Sequence, residues 1–136
     1  MQRLKTRAQF QAVLASGIVA KTPHFALHRR PLNTNAAIAA SVAFVDAPVL
    51  FRHQDTWIGA MIPKRWAKRA VTRNAIKRQI YAVSGDFFRQ FPPAAFVVRL
   101  RSSFSRTEFV SASSNLLKQA VRAEIQSLMQ AGAKAT

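Results

Sequence analysis

Residues 64–78, Lys-Arg-Trp-Ala-Lys-Arg-Ala-Val-Thr-Arg-Asn-Ala-Ile-Lys-Arg, carry seven cations in fifteen positions and still keep an apolar face. At about 100° per residue, Ile76, Ile80, Val83 and Phe87 fall on one narrow stripe, the pattern of a helix packed against a core. Arg73, Asn74, Lys77, Arg78 and Tyr81 fan out beside it. Pro63 precedes the run and Phe91-Pro92-Pro93 follows it, which predicts a helix from about Ala70 to about Phe88. A helix that needed only solubility would mix both signs of charge, yet no acid stands between Asp55 and Asp86. The chain must therefore fold around an element with one face in the core and the other left for a negatively charged partner.

The whole chain repeats that imbalance. Lys and Arg number 21 against five acids, a formal charge of +16 on 136 residues. Such a field repels itself, and the class of partner that neutralises it is nucleic acid. A membrane is not expected: the apolar stretch from Ala36 to Leu50 is too short to span and is broken by Asp46 and Pro48. The basic helix also lacks the Trp-, Phe- and Leu-rich second face of interfacial helices. The first 45 residues contain no acid, a bias shared with transit peptides. Against that reading, Thr6-Arg7-Ala8-Gln9 has capping-box form, and Phe10, Val13 and Leu14 recur at helical spacing before Gly17, a natural helix stop. The absence of cysteine excludes a disulfide framework and thiolate metal sites, and fits a reducing, cytoplasmic location.

Length and a 49% hydrophobic content favour one domain over residues 1–136. The pattern predicts a first helix from about Thr6 to Ser16, then a strand around Phe25–Arg30. A second strand falls within Ile38–Val45 or else in Val49–Arg52, and a short apolar strand follows at Trp57–Ile62. After the basic helix comes a strand at Ala95–Arg101. Ser105-Arg106-Thr107-Glu108 then opens a last helix with a buried stripe of Leu117, Val121, Ile125 and Leu128. Gly132 suits its end, leaving 132–136 as a frayed tail. This order makes an α/β (α+β) single-domain sandwich, a small mixed sheet with one face covered by helices.

A protein-borne catalytic site is hard to assemble from this sequence. Metal-assisted phosphodiester cleavage needs clustered carboxylates, but Asp46, Asp55, Asp86, Glu108 and Glu124 are dispersed, with no two at ligand spacing. Glu108 reads as a capping residue and Glu124 as a solvent charge. His24 and His28, four apart, share a strand face; partial exposure without a ligand is the expected reading, ahead of contact with nucleic acid and well ahead of metal binding. Ser102, Ser103 and Ser105 lie in no nucleophile elbow, and four glycines make no phosphate loop. No catalytic residue and no metal site are expected on this chain.

Lys68-Arg69-Ala70-Val71-Thr72-Arg73-Asn74-Ala75-Ile76-Lys77-Arg78 resembles the signature helix of the bacterial ribonuclease P protein subunit family, approximately K-[KR]-A-V-x-R-N-R-I-K-R. Ile58-Gly59-Ala60-Met61-Ile62-Pro63-Lys64-Arg65 resembles the family's strand leading into it. Arg3-Leu4-Lys5, Phe10, Gly17 and Phe25 fall where the family places its first helix and first strand. The resemblance covers most of the chain. It departs at Ala75 and Tyr81, where arginines are common, and in the stretch from Pro31 to Thr56, which is longer than the usual link.

The resemblance implies an α-β-β-β-α-β-α order with a left-handed crossover, where general experience of parallel strands favours a right-handed one. It implies the accessory subunit of a ribonucleoprotein endoribonuclease that matures the 5′ end of tRNA, with the active site in the RNA. Mg2+ would be held mainly by that RNA and not by the protein alone. The implied partners are the catalytic RNA and precursor tRNA, without an obligate protein partner. Lys64, Arg65, Lys68, Arg69, Arg73, Asn74, Lys77 and Arg78 would dock on the catalytic RNA. A cleft between the first helix and the sheet would take the 5′ leader, with Phe10, Leu14, Phe25 and His28 as candidate lining and Lys5 or Arg29 near the backbone. Phe10 and Phe25 fit plain core packing equally well. Trp66 could stack on a base, on Arg65 or in the core, and Arg99 and Arg101 extend the basic surface. A general structured-RNA binder of ribosomal type would share the charge without the Arg-Asn-x-Ile-Lys-Arg helix.

Overall fold

The computed structural model describes residues 2–31, 55–91, 93–104 and 115–135. The elements are β1 (Gln2–Arg3), α1 (Arg7–Ala15), β2 (Ile18–Lys21), β3 (Phe25–Pro31), β4 (Trp57–Met61), α2 (Ala70–Phe87), a 3-10 turn (Phe88–Gln90), β5 (Ala94–Leu100) and α3 (Asn115–Ala135). The strands form one mixed sheet in the order β1-β4-β5-β3-β2. β4 lies parallel to both β1 and β5, and β3 runs antiparallel to β5 and β2. The predicted strand at Ile38–Val45 or Val49–Arg52 and the Ser105–Glu108 helix start lie outside the described residues.

The fold class is the α+β sandwich read from the sequence, but helices cover both faces of the sheet. On one face, Phe25, Leu27, Ile58, Phe96, Val98 and Leu100 meet Ile76, Ile80 and Val83 of α2 and Leu117, Val121, Ile125 and Leu128 of α3. On the other, Val13 of α1 packs with Leu4, Trp57, Ala95 and Val97, and Phe10, Leu14 and Met61 close over them. β5 explains the difference. Residues Ala94–Val98 are all buried, and such an unbroken apolar run marks a strand covered on both sides.

Two strands were not expected. β1 is two residues long and held by Gln2 and Leu4 backbone amides donating to Thr56 and Ile58 carbonyls, both at 2.9 Å. β2 is a four-residue edge strand with no alternation of burial. α1 follows its capping box: the Thr6 hydroxyl accepts from the Gln9 amide and Gln9 Oε1 accepts from the Thr6 amide. Gly17, at φ +112°, turns the chain out of it. Gly132 does not end α3, which continues to Ala135. It is buried, and a Cβ there would overlap Leu27 Cδ2, so the glycine lets the helix approach the sheet. No helix among the described residues is long and apolar enough to cross a membrane.

Candidate nucleic-acid interface

β4 delivers the chain to a tight turn in which the Trp66 and Ala67 amides donate to the Pro63 carbonyl at 3.1 and 3.2 Å. Ala67 is buried and Trp66 half-buried against the core, which throws Lys64, Arg65, Lys68 and Arg69 outward. The Arg65 guanidinium lies over the Trp66 ring, 5.1 Å from its centroid. Trp66 is thus both core residue and shelf for a cation. α2 begins without a side-chain cap at Arg69 and with no acid in its first turn, so its positive end adds to the cations around it.

Along α2 the stripe of Ile76, Ile80 and Val83 is buried and Asn74, Lys77 and Arg78 are exposed, as the periodicity requires. Arg73 behaves differently. Its Nη1 donates to the carbonyls of Ala67 (3.0 Å) and Lys68 (2.8 Å), so it fixes the loop that presents Lys64, Arg65, Lys68 and Arg69. Tyr81 carries the Arg3 guanidinium over its ring at 4.1 Å, so β1 supplies a cation where the helix lacks one. No local signal in the sequence links Arg3 to Tyr81.

On the opposite face, α1 crosses the sheet. Phe10 is half-buried and lies over Gly59, where a Cβ would meet Phe10 Cε1 at 2.6 Å; Leu14 is half-buried farther along the helix. These two lie on the α1 face of the sheet. Phe25 does not. It is 0% exposed on the α2 and α3 face, because alternation along β3 sends Phe25 and Leu27 one way and Ala26 and His28 the other. Arg29 alternates with Phe25 and so also leaves the α1 face, whereas Lys5 is exposed at the start of α1.

His28 faces α1 but is only 6% exposed, which leaves no open ring face for stacking. The Arg99 Nε–H donates to His28 Nε2 at 3.2 Å, and Nδ1 has no hydrogen-bond partner among the described residues. Burial and then the Arg99 charge push the imidazole pKa down; the Leu14 backbone, off hydrogen-bonding geometry, works the other way. Arg99, half-exposed on β5, was expected only to extend the basic surface. Strand parity puts it on the α1 face with Ala95 and Val97, once the α1 side is known. Arg101 instead caps the β2–β3 connection, donating Nη1 to the Thr22 carbonyl at 3.0 Å.

His24 is no partner of His28. Its ring stacks on Phe104 at 4.0 Å and its Nδ1 meets Glu124 Oε1 at 2.7 Å. Glu124 also accepts from the Thr22 hydroxyl (2.6 Å) and the His24 amide (2.8 Å), so it is a structural tie and not a solvent charge. Among the described residues no three His, Cys, Asp or Glu side chains converge to hold a metal ion.

The sequence profile described as Ribonuclease P matches residues 1–128. The chain is 38% identical over 95 residues to a ribonuclease P protein component from Nostoc sp., a match spanning 67% of this chain and 66% of that protein. It is 26% identical over 136 residues to the component from Paraburkholderia xenovorans, covering 97% and 81%. The fold is similar to that of the Staphylococcus aureus RNase P protein, with a TM-score of 0.64 at 15% identity and coverage of 96% and 94%. The Thermotoga maritima RNase P protein gives 0.61 at 17% identity, covering 96% of each chain.

Proposed function

Because the chain belongs to the ribonuclease P protein family, we propose that it is the accessory protein of a ribonucleoprotein endoribonuclease, docking on a catalytic RNA and holding the 5′ leader of precursor tRNA. The observation that carries this reading is the exposed cationic face from Lys64 to Arg78, built on a loop and helix whose other side is locked into the core. Lys64, Arg65, Lys68, Arg69, Lys77 and Arg78 contact RNA phosphates, Asn74 offers a donor and an acceptor, and Arg73 keeps the loop in shape. Rigid placement of cations suits recognition of A-form shape.

The α1 cleft takes the leader, with Phe10 and Leu14 at its edge and sequence-tolerant contacts to rings and backbone. Bond cleavage belongs to the RNA, whose bound magnesium supplies the hydrolytic chemistry. The residues of this chain bind, orient and screen. Their cations replace counterions between RNA segments, so the protein matters most at low magnesium.

The test is a magnesium series with RNA alone, nuclease-treated protein alone and both together on precursor tRNA. The reading predicts a 5′ phosphate on the mature end whenever the RNA is present, with the protein's largest effect at low magnesium. Site-specific cleavage by RNA-free protein, abolished by changing Asp55 or another single acid, would put the chemistry on this chain. A protein that leaves RNA-catalysed cleavage unchanged but retains other structured RNAs from its native cells is a general RNA binder.

A further inference from the structure

Arg99 and His28 form a contact that the fold does not explain. A cation facing a basic imidazole gains little stability, yet the Arg99 Nε–H donates to His28 Nε2 at 3.2 Å beside the α1 layer. Arginine has no acceptor and stays charged, so this bond requires a neutral ring with its proton on Nδ1. It uses one of the five guanidinium N–H groups and sets the plane of the fork, leaving both terminal amino groups. The side chain is half-exposed on a central strand, and no carboxylate pairs with it among the described residues. A planar, oriented, unpaired guanidinium at a surface is suited to bidentate capture of a phosphate.

Its place in the sheet says which phosphate. The register aligns Met61, Arg99, Ala26 and Lys21 in one row across β4, β5, β3 and β2. Met61 leads directly into the loop of Lys64 and Arg65, and Lys21 is exposed at the far edge. Next to this row, on the same face, stand Phe10 over Gly59 and Leu14 near His28. A strand of RNA leaving the cationic loop would cross Arg99 with its bases toward Phe10 and Leu14.

We infer that Arg99 grips one backbone phosphate of the single-stranded leader, and that His28 is a positioning residue that orients it by accepting its Nε–H, in place of a ring that stacks on a base. This rests on the leader-binding reading above and adds a named contact to it.

The experiment measures binding of precursor and mature tRNA to the holoenzyme assembled with its cognate RNA. It uses leaders in which single phosphates are replaced by neutral methylphosphonates. For wild type, one leader position should lose roughly tenfold in affinity on neutralisation, the size of a charge-assisted hydrogen bond. Arg99→Ala should lose about the same for unmodified precursor. It should be insensitive to neutralisation at that position, with mature tRNA binding and RNA assembly unchanged. His28→Phe should resemble Arg99→Ala at the same phosphate, and His28→Gln, which keeps an acceptor, should restore the contact. Because Arg99 is half-exposed, its truncation leaves no core cavity, and normal RNA assembly by the variant checks its folding. Arg99→Ala with full leader preference and undiminished sensitivity to every neutralised phosphate overturns the inference while the leader-cleft reading stands. A wild-type holoenzyme that binds precursor and mature tRNA equally overturns both.

Discussion

Glu124 and His28 are decided by contacts that no local pattern carries. Glu124 reaches Thr22 and His24 across 102 and 100 residues of sequence, and nothing near position 124 announces it. Glu124→Ala strands a hydroxyl, an amide and a ring N–H, and should cost about 2–3 kcal/mol in denaturant unfolding. His28 gives a pH signature. Its folded pKa lies below the ordinary value of about 6.5, so the neutral ring contributes stability that is fully present above that pH. That stability is lost as pH falls through the folded value. Acidification from pH 7 toward 5 should lower wild-type stability, and His28→Gln should flatten that limb. An unchanged slope in the variant would show that another group titrates there. Phe25 illustrates a different limit: its apolar neighbours fit core and cleft alike, and only strand parity against a located α1 sends it to the core.

Elements with a dense local code were legible. α1 was marked by its cap and Gly17, and α2 by the stripe Ile76, Ile80 and Val83 between prolines. β1 and β2 were not, because two- and four-residue strands take their existence from pairing with β4 and β3 and carry no periodicity of their own. Gly132 was misread for a related reason: a glycine near a helix end signals a stop or a close approach, and only the overlap with Leu27 tells which. Gly132→Ala gains about 1 kcal/mol of helix propensity but must displace a fully buried Leu27 methyl, at a cost of roughly 1–3 kcal/mol. It should therefore be neutral to destabilising by thermal unfolding, with a clear gain in stability as the contrary result. Gln9 accepts from both the Lys5 and Thr6 amides. Gln9→Ala should cost about 1 kcal/mol and weaken leader-dependent binding more than assembly with the catalytic RNA.

At the scale of the molecule, one sheet separates two helix-covered faces. α2 and its preceding loop display charge on one side, α1 packs across the other, the face we propose for the leader, and Met61 and Arg99 pair where β4 runs on into the cationic loop. The charge of +16 and the acid-free basic run made the first surface legible in sequence. The second was named only through the family resemblance, and it took the fold to send Phe25 to the other face and to bring Arg99 beside His28. The division of labour on the cationic side is testable through Arg73: Arg73→Ala should loosen the loop and lower stability, while Lys77→Ala and Arg78→Ala should leave stability near wild type. The most direct test of docking by phosphate contacts is the salt dependence of affinity for the catalytic RNA, wild type against the Lys77→Ala, Arg78→Ala double variant. The account predicts that log affinity falls nearly linearly with log salt, and that the double variant loses roughly 1.4–1.8 from the slope, two contacts at about 0.7–0.9 each. A flat wild-type response, or a double variant with the wild-type slope, would contradict it.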